Sequence, residues 1–133
     1  MVPDSPSIEL TQQERVVIVS FRNTIELEEQ DEAGLALSDA RTDTSTSATL
    51  LDLADLTFAD STLLNLILRA HADHQEQARP FVLSGPYHSG VQRLFEITGV
   101  TEVLELAGTR DEGVRRVQEL LDTGTMPPDG PTP

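Results

Sequence analysis

The chain has 133 residues, with 9 arginines and no lysine against 23 acidic side chains, for a formal net charge of -14. At this length about two-thirds of the unfolded surface is buried on folding, so one domain holds together without disulfides or a structural metal. The absence of cysteine excludes a thiol nucleophile and a cysteine-ligated zinc site; the absence of lysine excludes a Walker-A lysine and a Schiff base; the charge repels nucleic-acid phosphates and anionic lipid heads.

Residues 1–7 carry two prolines among polar residues and are expected to form a disordered tail. The start lacks the basic and apolar segments of a secretory signal, and no run approaches the roughly 18 apolar residues of a membrane span. The expected location is therefore the cytoplasm, with no membrane and no nucleic acid among the partners. A protein partner is expected instead. Ser7 to Thr11 reads as a possible edge strand. Residues 15–21 (Arg-Val-Val-Ile-Val-Ser-Phe) form a near-continuous apolar run of the kind found in strands covered on both faces. Residues 22–28 read as a loop. The stretch 28–41 is a weaker helix, interrupted by Gly34, and Thr42 to Thr49 is a low-complexity loop.

A second buried strand fits 49–53 and a loop fits 54–60. From Ser61 to Ala78 the residues Leu63, Leu66, Ile67 and Ala70 fall at i, i+3, i+4 and i+7, which predicts the longest helix. A third strand fits 80–84. Val91, Leu94, Phe95 and Thr98 predict a helix over 89–98 with Gly99 as a left-handed cap. A weaker strand fits 102–106. Val114, Val117 and Leu121 predict a helix over 111–122, and residues 123–133, with four prolines, read as a second disordered tail. Strands alternating with helices over 8–122 predict an α/β domain with a four- to five-stranded, mostly parallel sheet and about four helices. Its binding sites are expected beyond the carboxyl ends of the strands, at 22–28, 54–62 and 84–90.

The segment Asp60-Ser61-Thr62 opens the longest helix. One reading is an ordinary helix start, with Asp60 or Ser61 accepting a backbone N–H as the cap. The other is a modification site. A phosphate on the serine would carry about -1.5 to -2 charge, favoured by the helix dipole and opposed by Asp60, so the fold would hardly change while a partner docking over the loop would feel the charge. The histidines build no site. His71 and His74 are three apart on the long helix and read as a solvated face, because zinc needs a third ligand and an open position. His88-Ser89 has no Gly-x-Ser-x-Gly elbow, and Ser89 reads as a helix cap. Glu28-Glu29 and Asp31-Glu32 read as a solvated helix start, and Arg93, Arg115 and Arg116 as isolated positive charges. No catalytic set or cofactor site assembles, so no enzymatic activity is expected.

Taken in order, a strand ending Leu51-Asp52-Leu53, then Leu-Thr-Phe-Ala-Asp-Ser-Thr over 56–62, the long apolar helix, Leu-Ser-Gly-Pro at 83–86 and Val-Gln-Arg-Leu-Phe-Glu-Ile-Thr-Gly-Val at 91–100 resemble the STAS domain of bacterial anti-sigma factor antagonists. The resemblance spans roughly 8–122. It implies a small domain that binds an anti-sigma factor, itself a serine kinase of the histidine-kinase-like ATPase fold, and releases it when one serine is phosphorylated; a phosphatase resets the switch. The acceptor maps onto Ser61, and the partner surface onto Asp60, Ser61, Thr62, Leu63, Asn23 and Thr24.

Two features depart from the family pattern. Leu63 stands where glycine is usual, adding bulk in the first helical turn, and residues 21–27 replace the glycine-containing segment after the first core strand. Leu63 favours an alternative, a STAS-like scaffold or adaptor that joins a larger regulatory or transport complex without phosphorylation. A small hydrolase using Ser89 or the carboxylates is the third reading.

Overall fold

The computed structural model describes residues 7–123; the tails expected at the two ends lie almost wholly outside these residues. The apolar run after Arg15 becomes strand β2 (Val16–Phe21), and all six of its residues are buried because both faces are covered. Strand β1 (Ile8–Gln13) folds back on it as an antiparallel hairpin, and β4 (Ala48–Asp52), β6 (Phe81–Ser84) and β7 (Glu105–Ala107) add in parallel, in the order β1-β2-β4-β6-β7. Four helices cover the sheet: α1 (Gln30–Thr42), α2 (Ser61–Glu76), α3 (Ser89–Thr98) and α4 (Arg110–Asp122). This is the mixed α/β architecture expected from the sequence.

Alternation along β2 sorts the core into two layers. Val17, Val19 and Phe21 enter the larger one with α1, α2 and α3. Val16 and Ile18 enter the smaller one, where Val117 of α4 closes over Leu50 and Val82. Gly113 permits the close approach of α4: a Cβ there would lie 2.8 Å from Leu50 Cδ1 and 3.0 Å from Ser84 Cβ.

Several expectations are corrected. The loops expected at 22–28 and 54–60 contain short strands, β3 (Asn23–Ile25) and β5 (Leu56–Ala59), which pair in parallel as a separate ribbon. The strand expected at 102–106 begins only at Glu105, because Gly99, at φ 77, leads into a 3-10 turn over Val100–Glu102 that buries Val100. His74 is not on a solvated face. It is 1 % exposed, stacked on Phe81 with ring centroids 4.6 Å apart, with Nδ1 donating to the Ala70 carbonyl at 2.7 Å and Nε2 2.9 Å from the Thr49 hydroxyl. Arg116 is not isolated: its guanidinium reaches Glu105 at 3.0 Å and Glu119 at 3.2 Å. His88, rather than Ser89, caps α3, its Nδ1 accepting the Gly90 N–H at 3.3 Å.

The base of the sheet is tied together by Arg79. Its guanidinium donates to the carbonyls of Thr46 (3.1 Å) and Ala40 (2.8 Å) and to the Thr46 hydroxyl (2.7 Å). The Ala40 carbonyl, at the end of α1, also accepts the Asp43 N–H at 3.3 Å, so Arg79 adds a second donor there and ties α1 to the loop before β4.

Candidate functional site

Strand β5 ends at Ala59, and Asp60, in extended conformation, turns the chain into α2. The Asp60 carboxylate accepts the Thr62 N–H at 2.8 Å, and its carbonyl accepts the Leu63 N–H at 3.0 Å. Of the two capping candidates in the sequence, Asp60 is therefore the cap. The Ser61 side chain is exposed on the first helical turn, and no hydrogen bond to its hydroxyl is made among the described residues. Thr62, also placed on the expected partner surface, is buried at 8 % exposure and offers little side chain to a partner.

Leu63 is fully buried in the main core. Its side chain is thus unavailable to a partner, contrary to its place in the expected surface, and it does not crowd Ser61. The helical period explains this: Leu63 lies on the inward stripe with Ile67 and Ala70, about 200° around the axis from Ser61.

The ribbon brings the other expected residues to the same end of the molecule. Thr24 pairs with Phe58 and Ile25 with Ala59, immediately before Asp60. Asn23 adopts φ 65, a left-handed conformation that Asn tolerates, and the register shifts between Asn23 and Thr24. Its N–H donates to the Asp55 carbonyl at 3.0 Å, and its own carbonyl accepts the Thr57 hydroxyl at 2.9 Å.

Ser61 opens onto a groove that it shares with Leu27, Gln30, Asn65, Leu66 and Arg69. Leu27 is 70 % exposed at this groove and Phe58, on the ribbon, 51 %. Sequence reasoning missed both apolar residues because each sits in a segment read as a loop. Asn65 and Arg69 were readable, since they follow Ser61 at i+4 and i+8 on one helix face. An exposed hydroxyl at a helix start, with apolar side chains beside it and one arginine in its groove, suits reversible docking of another protein. Among the described residues, no group of three or more His, Asp or Glu is arranged to hold a metal ion, and no helix is long and apolar enough to cross a membrane.

This architecture, with its helix start beside a short strand ribbon, defines a small mixed α/β domain. The STAS domain family matches residues 7–113, and the chain belongs to that family. No curated protein matches it in sequence. Among solved structures, an anti-sigma factor antagonist from Mycobacterium paratuberculosis is 20 % identical, with a TM-score of 0.76 over 88 % of this chain and 97 % of the other. The Bacillus cell fate determinant SpoIIAA in its phosphorylated form is 16 % identical, with a TM-score of 0.64 over 83 % and 98 %. A sulfate transporter family protein from Wolinella succinogenes is 12 % identical, with a TM-score of 0.70 over 84 % and 92 %. At these identities the likeness is one of fold.

Proposed function

We propose that this chain is an anti-sigma factor antagonist: it binds a cytoplasmic serine-kinase anti-sigma factor of the histidine-kinase-like ATPase fold and lets go when that kinase phosphorylates Ser61. The observation that carries the reading is the division of labour at the helix start. Asp60 caps α2, and the Ser61 hydroxyl is left exposed and uncommitted. The fold it shares with antagonists, one of them solved in a phosphorylated form, supports the same reading.

The kinase brings ATP, magnesium and a base. Ser61 Oγ attacks the terminal phosphorus, an O–P bond forms as the bond to the ADP oxygen breaks, and the serine proton passes to the kinase base. Asp60, Asn23 and Thr24 frame the docking face, with Leu27 and Phe58 as apolar anchors. Enclosing the new dianion beneath a docked partner costs several kcal/mol, and about 1.4 kcal/mol is tenfold in affinity, so a loss of two or three orders of magnitude is available. A phosphatase restores the serine. The adaptor alternative drew on Leu63, and the inward orientation of that side chain removes this support.

The test is incubation with the candidate kinase and ATP. A mass gain of one phosphate, absent in Ser61→Ala, is expected, together with weakened binding by Ser61→Glu. Tight binding without transfer, equal for wild type and Ser61→Glu, would establish the adaptor instead.

A further inference from the structure

The outer edge of β1 carries a row of backbone groups that β2 does not use. The Arg22 N–H donates to the Ser7 carbonyl at 2.7 Å, so Ser7 and Arg22 form a hydrogen-bonded pair at the open end of the hairpin. Antiparallel ladders alternate, which makes Glu9–Ser20, Thr11–Ile18 and Gln13–Val16 the bonded pairs. The N–H and C=O groups of Ile8, Leu10 and Gln12 therefore point away from β2. Among the described residues no strand pairs with that edge.

The devices that usually blunt such an edge are missing from β1. It has no proline and no lysine, and its single charge, Glu9, is held by Arg22 at 2.7 Å. Leu10, at the middle of the strand, is 41 % exposed. It pairs with Val19 and so faces the same side of the sheet as α1.

We propose that β1 is a homodimerisation edge, its occupant being β1 of a second copy of this chain in antiparallel register about a two-fold axis at Leu10. In that register Leu10 meets Leu10 of the other copy, and Ile8 meets Gln12. The outward groups then form about six backbone hydrogen bonds. Glu9 falls opposite Thr11 of the other copy, so no like charges face each other across the seam. The two Leu10 side chains share one face and cover each other's exposed area. The two five-stranded sheets become one continuous sheet, and since no residue of the Ser61 groove lies in β1, each copy keeps its groove. The net charge of -14 on each copy opposes association, so the dimer forms at high protein concentration and at ionic strengths that screen the repulsion.

The test combines sedimentation velocity over roughly 5 to 500 μM protein at about 0.15 M salt with residue-resolved amide exchange on the full chain. The expected result is a concentration-dependent dimer in which the amides of Ile8, Leu10 and Gln12 gain protection, while those of Thr11 and Gln13 are protected throughout. Leu10→Pro removes an outward N–H and the Leu10 side chain while sparing the β1–β2 bonds, and should weaken the dimer by at least about tenfold with the Thr11 and Gln13 protection intact. If that variant loses the hairpin, Leu10→Asp, which places two carboxylates face to face, decides the matter by the same loss of dimer. A monomer across the whole range overturns the proposal, as does a dimer that leaves the Ile8, Leu10 and Gln12 amides unprotected or survives Leu10→Asp unchanged.

Discussion

The imidazole Nε2 of His74 lies 2.9 Å from the hydroxyl of Thr49, joining the last turn of α2 to the start of β4 in a site closed to water. Burial holds the ring neutral and pushes its pKa down to about 4, with Arg79 and Arg41 acting in the same direction and the Ala70 carbonyl and Asp73 against it. The ordinary value in an unfolded chain is about 6.5. A group whose pKa falls on folding from that side binds more protons when unfolded, so its contribution is complete above about pH 6.5 and drains away as the pH falls toward 4. The difference in unfolding free energy between wild type and His74→Gln should therefore shrink by up to roughly 3 kcal/mol across that window. Urea denaturation at steps between pH 7.5 and 4.5 measures it, and a constant difference would contradict the assignment.

Capping by Asp60 and the phosphorylation proposed for Ser61 fall on adjacent residues, and substitution separates them. Asp60→Ala should lower stability by about 1 kcal/mol through the lost Thr62 bond. Ser61→Ala should stay within about 0.5 kcal/mol, as expected for an exposed side chain. Thermal or urea unfolding of the two variants, set beside their phosphorylation by the kinase, gives the comparison. A larger stability loss in Ser61→Ala than in Asp60→Ala would reverse the roles.

Gly113 is required by contact rather than by backbone conformation. In an open helix, alanine would be favoured over glycine by about 1 kcal/mol. Here a Cβ would press on Leu50 Cδ1 at 2.8 Å, and overpacking of this kind costs about 1 to 3 kcal/mol. Gly113→Ala should therefore destabilise the protein, with its midpoint in urea falling while the slope of the transition is unchanged.

Ala78, which closes α2, holds φ 54, a left-handed conformation costing about 1 to 2 kcal/mol for a residue with a Cβ. Ala78→Gly relieves that cost and loses about 0.5 to 1 kcal/mol of chain entropy. The expected outcome is a net gain and a thermal midpoint raised by a few degrees. Calorimetry decides the sign.

What the sequence made legible was whatever repeats over several residues. The apolar run of β2 and the 3.6-residue stripe through Leu63, Ile67 and Ala70 name their elements directly. His74 continues that stripe one turn on from Ala70, so its burial was encoded, but an imidazole is also soluble enough for a surface, and only the Thr49 hydroxyl and the Phe81 ring decide between the two. The ribbon was hidden for a different reason. Asn23–Ile25 and Leu56–Ala59 are too short to show a period, and their pairing depends on residues more than thirty positions apart. At the candidate site, Asp60 and Ser61 stood out through helix-start chemistry, whereas Leu27 belongs to it only because the folded chain lays it there.

The ribbon of β3 and β5 makes its ladder with itself and not with the five-stranded sheet. Outward positions such as Thr24 and Phe58 can therefore drift in sequence without disturbing the register of the scaffold beneath. Under the proposed function, a genome holding several copies of this domain would have a ready means of keeping their partners apart, diversifying a few ribbon side chains while the core stays the same.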